Sequence, residues 1–121
     1  MEEPKYELSR VFKLIKDGTD EKIDISLTRA LRPVITCLNV SAEEAKEFIL
    51  EQILLLTVDN FSSRIWMEPD VYDIYGKKID GISWFIKFCI YIDENGDNLY
   101  CISFHPIEKN LTTRTETLTI N

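Results

Sequence analysis

The sequence predicts an α+β domain in which N-terminal helices pack on one face of a small antiparallel sheet, and three observations carry that expectation. From Val71 to Pro106 the chain alternates stretches rich in aromatic and β-branched residues with two turn signals, Gly76 to Gly81 (GKKIDG) and Asp93 to Asp97 (DENGD), the pattern of a three-stranded antiparallel meander. Upstream, Tyr6 to Lys16 and Ala42 to Leu56 carry apolar residues at helical spacing. A chain of 121 residues with 45% hydrophobic content and no internal repeat suits a single domain over residues 1–121 with one core.

In chain order, the first helix has Leu8, Val11, Phe12 and Ile15 on one side, and Gly18 follows as a left-handed stop. Ile23, Ile25 and Leu27 alternate as in a short strand. Thr28 to Leu38 is ambiguous, because Pro33 restricts any helix there to a short or bent one. Ser41 to Glu44 (SAEE) is a capping box that opens the helix from Ala42 to about Leu56, whose apolar surface is wide enough to lie between the sheet and another element. Thr57 to Asp70 reads as a polar loop holding Phe61 and Trp66, with room for a strand at Arg64 to Met67. The threonine-rich end, Leu111 to Asn121, is left open between an edge strand, a flexible tail and a strand that forms on a partner.

Which side chains share a face depends on the turn at Asp93. A two-residue loop at Asn95-Gly96 mismatches the hydrophobic alternation of the two strands. A three-residue loop, Glu94-Asn95-Gly96 with Gly96 left-handed, pairs Tyr91 with Leu99, Cys89 with Cys101, Lys87 with Ser103 and Phe85 with His105. Trp84, Ile86, Phe88, Ile90, Ile92, Tyr100, Ile102 and Phe104 then make one apolar face for the helices to cover. A slip of one residue would exchange faces, so the register should be strongly held.

Composition excludes several classes. The net charge of −7 weighs against a general nucleic-acid binder, so any RNA function must rest on a local basic patch, and no DNA partner is expected for this chain alone. The acidic, polar start and the lack of a long apolar run point to a cytoplasmic protein without a membrane partner. Three cysteines without CxxC spacing suit reduced thiols, and one histidine leaves no zinc site. Asp93, Asn95 and Asp97 have the start of a calcium-loop spacing, but Phe104 stands where a bidentate Glu is needed. No cofactor is expected.

The remaining chemistry sits on the face opposite the apolar one: His105, Lys87 and Ser103, with Lys77 and Lys78 in the nearby turn. Strand lysines commonly do no more than solvate an open face, and a histidine before proline commonly just bonds to backbone. The same set would serve metal-free RNA cleavage, which needs a group titrating near neutrality to move a proton and cations to hold the phosphate.

YGKKIDGISWFIKF followed by YCISFHPIEK resembles the C-terminal sheet of the MqsR-like (motility quorum-sensing regulator) toxins, in the branch patterned FGK, short turn, YIK, CISFH. Tyr75-Gly76-Lys77 stands at FGK, Phe85-Ile86-Lys87 at YIK, and Cys101 to His105 matches the last motif. The resemblance implies a RelE-like fold and a bacterial type II toxin, an mRNA interferase neutralised by a cognate antitoxin, with mRNA and the ribosome as further partners to consider. It implies His105 and Lys87 as catalytic residues, and Lys77, Tyr75, Phe85 and Ser103 as substrate-binding ones. Two positions depart from the pattern: Phe85 replaces a tyrosine, and Asp73 stands where an aromatic is expected. A non-catalytic acidic interaction module on the same fold is the alternative.

Overall fold

The computed structural model describes residues 2–121. Three helices, α1 (Leu8–Asp17), α2 (Arg32–Leu38) and α3 (Ala42–Leu54), cover a five-stranded mixed sheet built of β1 (Ile23–Ile25), β2 (Phe61–Met67), β3 (Asp70–Ile79), β4 (Ile82–Asp93) and β5 (Gly96–Pro106) in the order β1-β5-β4-β3-β2. The meander therefore has four antiparallel strands rather than three. β2 takes up half of the stretch expected as a loop, and β1 adds a parallel edge beside β5.

Local signals explain the helices. Ser41 Oγ accepts the Glu44 N–H while the Glu44 carboxylate accepts the Ser41 N–H, the reciprocal box expected from SAEE. α3 turns Ala45, Ile49 and Ile53 into the core and sets Phe48 against Trp84 and Phe104, each with ring centroids 5.9 Å away. Gly18 is extended rather than left-handed; what requires glycine is the approach of the Leu14 carbonyl, which a Cβ would meet at 1.9 Å. Ahead of Pro33 the chain makes one π turn, Leu27–Leu31, in which the Leu31 N–H donates to the Ser26 carbonyl and the Arg32 N–H to that of Leu27. Asp73, fully buried, accepts the backbone N–H groups of Lys5 and Tyr6 at 2.9 Å each, tying the segment before α1 to β3.

The two hairpin turns differ from expectation, with consequences for every face. Gly76 lies inside β3, and the turn is Asp80-Gly81 alone, both at positive φ, with Ile79 paired to Ile82. The second turn pairs Asp93 with Gly96, so Cys89 lies opposite Tyr100 and Phe88 opposite Cys101. A bulge then intervenes: beyond it Lys87 pairs with Ser103 and Phe85 with His105, leaving Ile102 as the extra residue. The expected register holds at the histidine end and fails at the turn. The helix-covered face is consequently Trp84, Ile86, Phe88, Ile90, Leu99, Cys101 and Phe104, all buried; Tyr100 and Ile102 are not on it, and Ile92, at the hairpin tip, is 72% exposed.

Cys89 and Cys101 are accordingly on opposite faces, not neighbours. Both are buried free thiols that burial pushes up to about 12, whereas Cys37 is exposed. A thiol reagent applied to the native protein should titrate Cys37 rapidly and the other two slowly, with three groups reacting after denaturation. Fewer than three would contradict the reduced state.

The C-terminal segment is neither an edge strand nor a loose tail. β6 (Leu111–Thr112) and β7 (Thr117–Leu118) pair with each other and lie across the sheet face opposite the helices. The Arg114 N–H donates to the Phe61 carbonyl, and the Asn121 side chain bonds both the N–H and the carbonyl of Ser83. Leu118 is buried over Gly76, where a Cβ would lie 2.5 Å from Leu111 and 2.9 Å from Leu118.

Candidate functional site

The bulge at Ile102 sets the geometry of the site. Because it restores the pairing of Lys87 with Ser103 and of Phe85 with His105, all four side chains project on the face away from the helices. There they line a cleft of about 550 Å³ together with Arg29, Met67, Ile102, Glu108, Lys109 and Leu111. The half of that face nearer β2 is closed by the β6–β7 hairpin, which bounds the cleft on that side.

His105 is far from the exposed residue that its place at a strand end suggests; it retains 7% of its accessible surface. Its ring stacks on Phe85, with centroids 5.1 Å apart and planes 16° from parallel. Nδ1 lies 2.8 Å from the Pro106 carbonyl oxygen, which can only accept, so Nδ1 carries the proton. Nε2 lies 3.0 Å from Arg29 Nη2, which can only donate, so Nε2 is the acceptor. These contacts fit the tautomer with its proton on Nδ1 and the Nε2 lone pair capped by a guanidinium.

Arg29 is the residue that sequence reasoning missed. The π turn of Leu27–Leu31 carries it, and its guanidinium bridges His105 and the Glu108 carboxylate, 3.1 Å from Glu108 Oε1. That contact, with the imidazole and the guanidinium charge nearby, holds Glu108 below the usual carboxylate range. Lys87 lies 5.9 Å from the Phe85 ring centre and 3.4 Å from Met67 Sδ. Burial, aided by the Arg29 charge, lowers its hold on a proton. Among the described residues no carboxylate pairs with Lys87 or Lys109. Three cations against one carboxylate make the cleft a local basic patch on an acidic protein.

Two candidates do not come to the cleft. Tyr75 is fully buried on the opposite face, paired with Ile86, edge-on to Phe61 and stacked on Phe88 at 5.3 Å, its hydroxyl without a hydrogen-bond partner. Lys77 pairs with Trp84 on that same helix-side face. The two-residue turn at Asp80-Gly81 dictates both placements, because it fixes which alternate residues of β3 face the core. Gly76, between them, is needed for the close approach of the C-terminal hairpin.

No protein-family model matches the chain, and no curated protein matches it significantly.

Proposed function

We propose that the protein is a metal-independent endoribonuclease that cleaves mRNA, the toxin of a type II toxin–antitoxin pair with a RelE-like fold, restrained by a cognate antitoxin. The observation that carries this reading is the placement of the chain's single imidazole beside Arg29 and the unpaired Lys87 in a bounded cleft. The resemblance of YGKKIDGISWFIKF and YCISFHPIEK to the MqsR-like toxins supports it.

In this reading Arg29, Lys87 and Lys109 hold the scissile phosphate. His105 Nε2 takes the proton of the 2′-hydroxyl, the 2′-oxygen bonds to phosphorus, and the bond to the 5′-oxygen breaks. The leaving oxygen takes a proton from the Lys87 ammonium, whose hold on it burial has loosened. Products carry a 2′,3′-cyclic phosphate and a 5′-hydroxyl, and solvent returns the two protein groups to their starting states. Arg29 here takes the part that the resemblance implies for Lys77.

The purified protein should cleave RNA in the presence of a chelator and leave cyclic phosphate ends, and its expression without a partner should slow growth. If RNA stays intact both free and on ribosomes, the enzyme reading fails. Phe85→Tyr adds a hydroxyl to the ring stacked on His105, where the family pattern has a phenol, and is expected to raise the cleavage rate several-fold. An unchanged rate would remove that position from the chemistry.

One observation favours the alternative of an acidic interaction module. Trp66, 63% exposed, and Ile92, 72% exposed, line a hollow with Val71, Lys5, Arg10 and Asp70, on the face away from the cleft.

A further inference from the structure

We infer that Arg29 and Glu108 form an anion-operated switch on His105: in the free protein the guanidinium caps Nε2, and an anionic phosphate entering the cleft draws Arg29 away, frees the Nε2 lone pair, and leaves the Glu108 carboxylate to pair with Nε2 once it carries a proton. This rests on the reading of the cleft as a phosphodiester site and names how that site is regulated. Three distances carry it. Arg29 Nη2 is 3.0 Å from His105 Nε2 and 3.1 Å from Glu108 Oε1, and Glu108 Oε1 is itself 3.6 Å from Nε2. One guanidinium nitrogen serves both partners, so moving it releases both at once.

Chemistry gives each state a use. With Arg29 on Nε2, the lone pair that would accept a proton is already engaged, and the base is idle. A phosphate oxygen is a stronger acceptor for a guanidinium than a neutral imidazole, because the bond is charge-assisted on both sides. Once Arg29 turns to it, the freed Nε2 faces a carboxylate across a gap that a small rotation closes. A proton arriving on Nε2 then meets a negative acceptor, which stabilises the imidazolium that forms during the reaction. Nδ1 keeps its bond to Pro106 throughout, so the ring does not have to turn over. The other charges around the imidazole are Lys87 on β4 and Lys109 beside Glu108, both cationic, so Glu108 is the only group in the cleft that favours a proton there. Glu108 is a positioning residue in this scheme, acting through His105. In the free protein it also competes with the phosphate for Arg29.

The single histidine makes the test direct, since ¹⁵N spectra of the imidazole contain one ring. Inorganic phosphate is titrated at fixed neutral pH into wild type and Glu108→Gln, with occupancy followed by the Arg29 side-chain N–H signals. In wild type Nε2 should pass from acceptor character to N–H character as phosphate saturates, the proton coming from the dihydrogen phosphate ion, which stands in for the 2′-hydroxyl as the proton donor. In Glu108→Gln phosphate should bind about threefold tighter, since a competing exposed ion pair is worth roughly 0.6 kcal/mol, while Nε2 retains its acceptor character. Saturation without a change at Nε2 in wild type, the same change in both proteins, or no phosphate binding would each overturn the switch. The readout needs no RNA cleavage, so a protein that switches but cleaves nothing would refute the nuclease reading and leave the switch standing.

Discussion

Replacing His105 by glutamine is expected to lower RNA cleavage by about 10²- to 10⁴-fold, the range typical for loss of a positioned proton-transfer group. Glutamine is the informative substitution because the ring is buried and stacked on Phe85, so alanine would also open a hole beside β4. Alanine costs the stack and the Nδ1 bond to Pro106, together roughly 1–3 kcal/mol. Loss of activity in alanine alone could therefore reflect the fold, whereas glutamine keeps bulk and polarity and loses the ring nitrogen that takes the proton. Lys87→Ala should fall by about 10²-fold or more as well, since the leaving oxygen then loses its proton donor although Arg29 and Lys109 still hold the phosphate. Initial rates on a defined RNA, beside a thermal melt of each variant, check these outcomes. A glutamine variant that cleaves like wild type would remove His105 from the chemistry.

Replacing Gly76 by valine is expected to detach the C-terminal hairpin and destabilise the protein by about 1–3 kcal/mol. The glycine sits under Leu111 and Leu118, and a branched side chain has no room where even a Cβ would be 2.5 Å from the first of them. A two-stranded hairpin of this length has little stability of its own, so it should lift before the five-stranded sheet yields. Amide exchange over residues 111–118 should speed up at least tenfold while the β4 and β5 amides stay protected. Cleavage should fall as well, because Leu111, which lines the cleft, lies on the segment that would move. Gly76→Ala is the milder control, since flexible leucine ends can turn aside for one methyl. Unchanged exchange over 111–118 in the valine variant would contradict this account.

The legibility of the chain follows the range of each signal. The capping box and the apolar side of α3 are local, and both stand as read. Trp84, Ile86, Phe88, Ile90 and Phe104 announced the covered face by alternation, which is also local. The bulge was not legible, because an extra residue in one strand shows only against its partner. Lys77 reads as a turn residue beside the cleft and Tyr75 as a substrate-binding one through the resemblance, although a contrary signal is present: Asp80-Gly81 is a strong two-residue hairpin turn, which sets Tyr75 opposite Ile86. Arg29 was out of reach, lying 76 residues from His105 in a turn whose π geometry no short pattern announces. The hairpin at 111–118 offered only Leu111 and Leu118 among polar residues.

Ile102 bears on how long β5 needs to be. Cys101 points to the helices and Ser103 away from them, so a chain lacking Ile102 would place those two as consecutive strand residues with inward and outward alternation unbroken. Both flanking halves would keep their partners on β4, from Ile90 with Leu99 to Phe85 with His105. The eleven-residue strand thus holds one residue more than sorting its faces demands. What that residue supplies is an aliphatic wall beside Lys87 and Ser103 in the cleft. A deletion variant should fold with the same cross-strand nuclear Overhauser contacts between Lys87 and Ser103, and it should bind phosphodiesters less well. Length in this strand is then a property of the cleft, which an otherwise regular sheet accommodates.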